Sequence, residues 1–135
     1  MLNPGIYNLA DRALTTAINE AQTAIVALDG MTAASIQARL AMGTGGTTAK
    51  VYVQTSLDQG TTWIDIACLA FTTTGALKVV NLSGLTPKGT PAVPTDGALA
   101  DDTVIDGILG DRLRAKIITT GTYSAAVVSV RASVR

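Results

Sequence analysis

The stretch Ala126-Val127-Val128-Ser129-Val130-Arg131-Ala132-Ser133-Val134-Arg135 decides the fold class. In an extended chain Ala126, Val128, Val130, Ala132 and Val134 fall on one side and Val127, Ser129, Arg131, Ser133 and Arg135 on the other, giving a dry face and a wet one. Just upstream, Leu113, Ala115, Ile117 and Thr119 alternate in the same way with Arg112, Arg114 and Lys116. The Thr120-Gly121-Thr122 turn between the two runs predicts that they pair as a hairpin. Ile36, Ala38 and Leu40 point opposite to Ser35, Gln37 and Arg39. Beyond the flexible Gly43-Thr44-Gly45-Gly46 link, Val51, Val53 and Thr55 oppose Lys50, Tyr52 and Gln54, so these runs read as a second antiparallel pair.

Further strands are predicted over residues 23–28, 63–71 and 77–82, about seven in all, with turn signals at the spacing of a sandwich. The near-continuous apolar run Ile64-Asp65-Ile66-Ala67-Cys68-Leu69 suits a central strand covered on both sides. In the first 22 residues and just beyond, Leu14, Ala17, Ile18, Ala21 and Ile25 fall at helical spacing, yet the Thr-rich sequence among them tolerates extended structure. The reading favours an extended arm that packs on a neighbour, with a short helix capping the sandwich as the alternative. The expected fold is thus all-β: an antiparallel β-sandwich, jelly-roll or immunoglobulin-like, with an N-terminal arm (1–22), one domain (23–135) and a long loop near 86–110.

A chain of 135 residues suits one core. Hydrophobic residues make up 47% and charged residues 15%, which excludes a disordered chain and leaves less polar surface than a free monomer usually carries, so part of the apolar surface is expected to meet a partner. Ten basic residues balance ten acidic ones, and no global field favours nucleic acid or an anionic membrane as partner. Cys68 is the lone cysteine and histidine is absent, so neither an intrachain disulfide nor a zinc site of the usual ligand types can be built. Cys68 itself reads as a small buried residue in a strand. No apolar stretch approaches the roughly 18 residues of a membrane helix, and no basic-then-apolar leader is evident, which predicts a chain made and kept in a cytoplasm-like compartment until assembly.

The long loop carries Pro87, Pro91 and Pro94 and reads as a contact loop. Asp96, Asp101, Asp102, Asp106 and Asp111 lie in it or just beyond, while Arg112, Arg114, Lys116, Arg131 and Arg135 follow on the two C-terminal strands. The expectation is that the acidic loop of one copy faces the basic strands of another and fixes register between subunits. The alternative is a solvated loop beside a solvated strand face.

Ser56-Leu57-Asp58-Gln59-Gly60-Thr61-Thr62-Trp63 matches the S-x-D-x-G-x-x-W pattern of Asp-box turns, found in sialidases and other β-proteins. Asp58 can accept backbone amides, Gly60 can take a positive φ and Trp63 can fold back as a plug, so Ser56, Asp58, Gly60 and Trp63 are read as a turn lock. One copy in so short a chain does not make a propeller. With no histidine and a single glutamate, Glu20, the inventory for acid–base catalysis is thin, and no enzyme, cofactor or small-molecule substrate is expected. Asp101 and Asp102 with Asp96 or Asp106 could ligate calcium, but their spacing matches no EF-hand loop. Asn81-Leu82-Ser83 fits a glycosylation acceptor only formally, and Gly43-Thr44-Gly45-Gly46 lacks the ending of a P-loop.

From Ala27-Leu28-Asp29-Gly30-Met31 through Val51-Tyr52-Val53-Gln54-Thr55-Ser56-Leu57-Asp58 and Trp63-Ile64-Asp65-Ile66-Ala67 to Leu109-Gly110-Asp111-Arg112-Leu113-Arg114, the chain resembles small uncharacterised proteins of tailed-phage and prophage structural gene clusters. The resemblance covers about residues 27–135. It implies a structural virion protein, foremost a capsid decoration or cement protein on the outer capsid. Its partners would be the major capsid protein and copies of itself in a symmetric oligomer such as a trimer. A tail, neck or fibre component is the runner-up. A carbohydrate-binding module is a third reading, because Tyr52, Trp63 and Tyr123 could stack on a sugar ring.

Overall fold

Each alternating run is a strand in the computed structural model, which describes residues 1–135. The strands are β1 (Gly5–Leu14), β2 (Asn19–Ala21), β3 (Ala33–Ala41), β4 (Thr44–Gly45), β5 (Thr48–Thr55), β6 (Ile64–Phe71), β7 (Ala76–Ser83), β8 (Thr103–Val104), β9 (Leu113–Thr120), β10 (Tyr123–Ser124) and β11 (Ala126–Val134). There is no helix. Along β11 every second side chain, from Ala126 to Val134, is buried, as are Ala34, Ile36, Ala38 and Leu40 of β3 and Leu113, Ala115 and Ile117 of β9.

The strands form a four-stranded sheet in the order β1-β11-β3-β7 and a five-stranded sheet in the order β2-β9-β5-β6-β8, all antiparallel, with a two-residue ladder between β4 and β10. The inner faces of the two sheets meet in one cluster of 25 buried residues drawn from both, so the chain has a single core. The pairs β5–β6, β3–β7, β2–β9 and β1–β11 are nested about the turn at 56–63. The chain is therefore one long antiparallel ribbon folded at that turn and rolled up. Rolling sends β1, β3, β7 and β11 to one sheet and β2, β5, β6 and β9 to the other, which is the jelly-roll topology rather than the immunoglobulin-like one.

Neither hairpin expected from neighbouring runs forms. β9 pairs with β2 and β5, while β11 pairs with β1 and β3 in the opposite sheet; β3 and β5 likewise lie in different sheets. The buried faces of β9 and β11 look at each other across the core, so adjacency in sequence becomes stacking, not pairing. The links that cross between sheets, β3 to β5 and β9 to β11, run side by side and pair through β4 and β10. There a Cβ at Gly43 would overlap the carbonyl oxygens of Ser124 and Ala125, which is why that link needs glycine.

The N-terminal segment is extended, but it is not an arm outside the sandwich. β1 is an edge strand of the four-stranded sheet with Leu9, Ala10 and Leu14 in the core, and β2 pairs with β9, so the unit begins well before residue 23. A bulge between Asn8 and Ala10 turns both Leu9 and Ala10 inward. That extra residue breaks the period of two and hides the strand in the sequence. Residues 23–28 form no strand; Ile25 makes one isolated bridge to Leu113.

Candidate functional site

β6 is covered on both sides: its inner face meets the core and its outer face lies under the long loop. The anchor is Asp65, fully buried within the apolar run of β6. Its Oδ2 accepts the Thr95 hydroxyl (2.8 Å) and the amides of Gly97 (2.8 Å), Ala98 (3.0 Å) and Leu99 (3.2 Å), and its Oδ1 accepts Gln54 Nε2 (2.8 Å). Successive backbone amides thus converge on one carboxylate and fix the loop in place. Sequence reasoning passed over Asp65 and Gln54. The available signal was a single charge inside an otherwise apolar strand.

The loop's other acids turn to this chain's own groups, against the expectation that they await another copy. Asp96 pairs with Lys116 (3.0 Å) and accepts Gln54 Nε2 (2.6 Å), contacts that hold its carboxyl below the usual range. Asp101 pairs with Lys50 (2.7 Å) and Asp102 with Lys78 (2.9 Å); Lys78 also lowers the Asp102 carboxyl. Asp106 accepts the Ser83 amide (2.6 Å) and the Thr86 hydroxyl (2.8 Å), with the amide as the main cause of its lowered pKa. Arg112 pairs with Asp111 (3.0 Å) and donates to the Gln59 carbonyl (3.0 Å). Arg131 lies on the other sheet and pairs with Asp11 (3.1 Å). A loop tied down by short-range pairs inside one chain has little charge left to set register between two.

The turn at 56–63 is locked as its residues predict. The Thr62 amide donates to Asp58 Oδ1 (2.7 Å), the Gly60 amide to Ser56 Oγ (2.8 Å) and Ser56 Oγ to Asp58 Oδ1 (2.9 Å), while Gly60 takes a φ of 92°. The Arg114 guanidinium lies 4.1 Å from the centre of the half-buried Trp63 ring and donates to Gln54 Oε1 (2.8 Å). Tyr52 and Tyr123 are buried, so none of the three aromatics offers a bare ring to a sugar. Cys68 is buried beside Tyr52, and burial pushes its thiol up.

By contrast, the outer face of the four-stranded sheet is bare. It presents Ser35, Gln37 and Arg39 on β3, Ser129, Arg131 and Ser133 on β11, and Leu77, Val79 and Asn81 on β7, with Ile6 at the β1 edge. Ile6 is 74% exposed, Val79 62% and Leu77 47%, and Arg39 takes part in none of the chain's six ion pairs. No helix is long and apolar enough to cross a membrane. No family model matches the chain, and no curated protein or solved structure matches it either.

Proposed function

We propose that this protein is a structural component of a tailed-phage particle, a capsid decoration protein that lies across neighbouring capsomers and stabilises the shell. The observation that carries this reading is the asymmetry of the sandwich: one sheet is roofed by its own loop, while the other offers an uncovered, low-charge face with Arg39 unpaired and Val79, Leu77 and Ile6 in water. Such a mixture of short hydroxyl and amide side chains with isolated apolar ones suits a broad protein contact better than a small ligand. The resemblance to phage structural proteins supports the same conclusion. Each copy would add buried area at a capsomer junction. A standard interface of about 1,600 Å² repeated around a closed shell lets modest affinity per copy suffice.

The test is to mix purified protein with preformed capsids that lack it, sediment them and heat them. Bound copies and a higher disruption temperature are expected, with both effects lost in Arg39→Glu, which reverses an unpaired charge on the face. Capsids that stay bare and melt unchanged would overturn the proposal; binding to tails instead of heads would replace it with the tail-component reading.

A further inference from the structure

A jelly roll has four sheet edges, and this one blunts three. β2 is three residues long, β8 is two, and β1 is bulged at Leu9 and carries Asp11 and Arg12. The fourth edge, β7, is eight residues long and runs in unbroken register with β3 from Ser83 to Ala76. The Gly84 amide donates to the Thr32 carbonyl, while the Ser83 amide and carbonyl turn away from β3 to Asp106 and Gly107. By the alternation of an antiparallel ladder, the amides and carbonyls of Leu77, Val79 and Asn81 also point away from β3, and none of them has a partner. Lys78, the only charge on the strand, is drawn off to Asp102 and lies 5.5 Å from the Phe71 ring centre, so it does not guard the edge.

We infer that β7 is a self-association edge, pairing antiparallel with β7 of a second copy about a twofold axis through Val79. That register sets Val79 beside its own symmetry mate, Leu77 beside Asn81, and Lys78 opposite Val80, so the strand's positive charges do not face each other. The six free main-chain groups on each side make about six hydrogen bonds, joining two four-stranded sheets into one of eight. At one bond per ~100–200 Å² the contact covers ~600–1,200 Å², below the ~1,600 Å² of a standard interface. Charge placement and area together therefore fit a second copy held as a weak, concentration-dependent dimer. Strand pairing of this kind is twofold, because a closed ring built through sheet edges would need a second free edge of similar length and the other three are short or bulged. It stands apart from the capsid reading and can fail without it.

Sedimentation equilibrium of the full chain over the micromolar to millimolar range tests this, together with hydrogen exchange at the two extremes. A reversible dimer is expected, with the Leu77, Val79 and Asn81 amides protected only at high concentration. Val79→Pro removes an amide that faces the open edge, leaves the β3 ladder intact and should abolish the dimer while the circular dichroism stays that of the parent. Val79→Lys keeps the amide but sets two ammonium groups side by side across the axis, and should also give a monomer. A monomer at every concentration, or a dimer that survives both substitutions, would overturn the inference.

Discussion

Replacing Asp65 by asparagine tests whether the long loop is held by one buried carboxylate. The change keeps the shape of the side chain and removes an acceptor. If the amide oxygen stays toward Thr95, Gly97, Ala98 and Leu99, the new NH₂ replaces Oδ1 and faces Gln54 Nε2 (2.8 Å) and the Gly97 amide (3.0 Å), both donors. The Gly97 amide keeps its bond to the other oxygen (2.8 Å), so the one hydrogen bond lost outright is that from Gln54, worth about 1.5–3 kcal/mol as a bond to a charged group, and those that remain weaken because their acceptor is no longer ionic. Gln54 Nε2 keeps its bond to Asp96, which limits the damage. The loop sets a ceiling as well, because once it lifts off the sheet its amides are rehydrated. The expected loss is about 2–4 kcal/mol, a large share of the 5–15 kcal/mol typical of a domain. At ~3–4 °C per kcal/mol for this size, melting should fall by roughly 6–16 °C. Calorimetry gives that shift, and hydrogen exchange shows where it acts: the Gly97, Ala98 and Leu99 amides should lose protection before those of β3 and β11. An Asp65→Asn chain that melts with the parent and keeps those three amides protected would refute the reasoning.

Trp63→Ala should cost about 2 kcal/mol through the lost packing under Arg114, measured by denaturant titration, and a glycan array should give no signal for the parent or the variant. Deleting residues 1–22 should leave a chain without cooperative melting, because it removes β1 and β2 and uncovers Val128 and Val130; a folded truncation would mean that the sandwich does not need its first strand. Asp96, Asp102 and Asp106 have carboxyls held below their ordinary value by Lys116, Lys78 and the Ser83 amide respectively. A lowered folded-state pKa stabilises fully above the unfolded value, ~3.9 for aspartate, and the gain is lost as pH falls through the lower folded values. Denaturation midpoints should therefore change little from these groups between neutrality and about pH 5 and drop below about pH 4, with loop amides exposed first; a loss centred near neutral pH would contradict the assignment.

Most strands were legible because their side chains carry the signal locally: β3, β5, β7, β9 and β11 lie where alternation predicts, and β6 lies where a near-continuous apolar run does. The turn lock was legible for the same reason, since Ser56, Asp58 and Gly60 bond within one short segment. β1 escaped because its bulge shifts the alternation by one residue, leaving Leu14, Ala17 and Ile18 to imitate a helical face. The loop's charges were visible but their partners were not, because Lys50 and Lys78 lie far from Asp101 and Asp102 in sequence and meet them only when the loop folds back.

Taken alone, the sequence determined an all-β chain with one core, the inward face of most strands, and the turn about which the ribbon folds. Only the tertiary structure decided which strands are partners, that the ribbon rolls into a jelly roll, and which sheet face stays open. The physical reason is that a strand's dry face is written in its own side chains, whereas ladder hydrogen bonds join backbones that are alike everywhere. Nothing in Leu113–Thr120 distinguishes β5 from β11 as a partner until both sheets close over the same core.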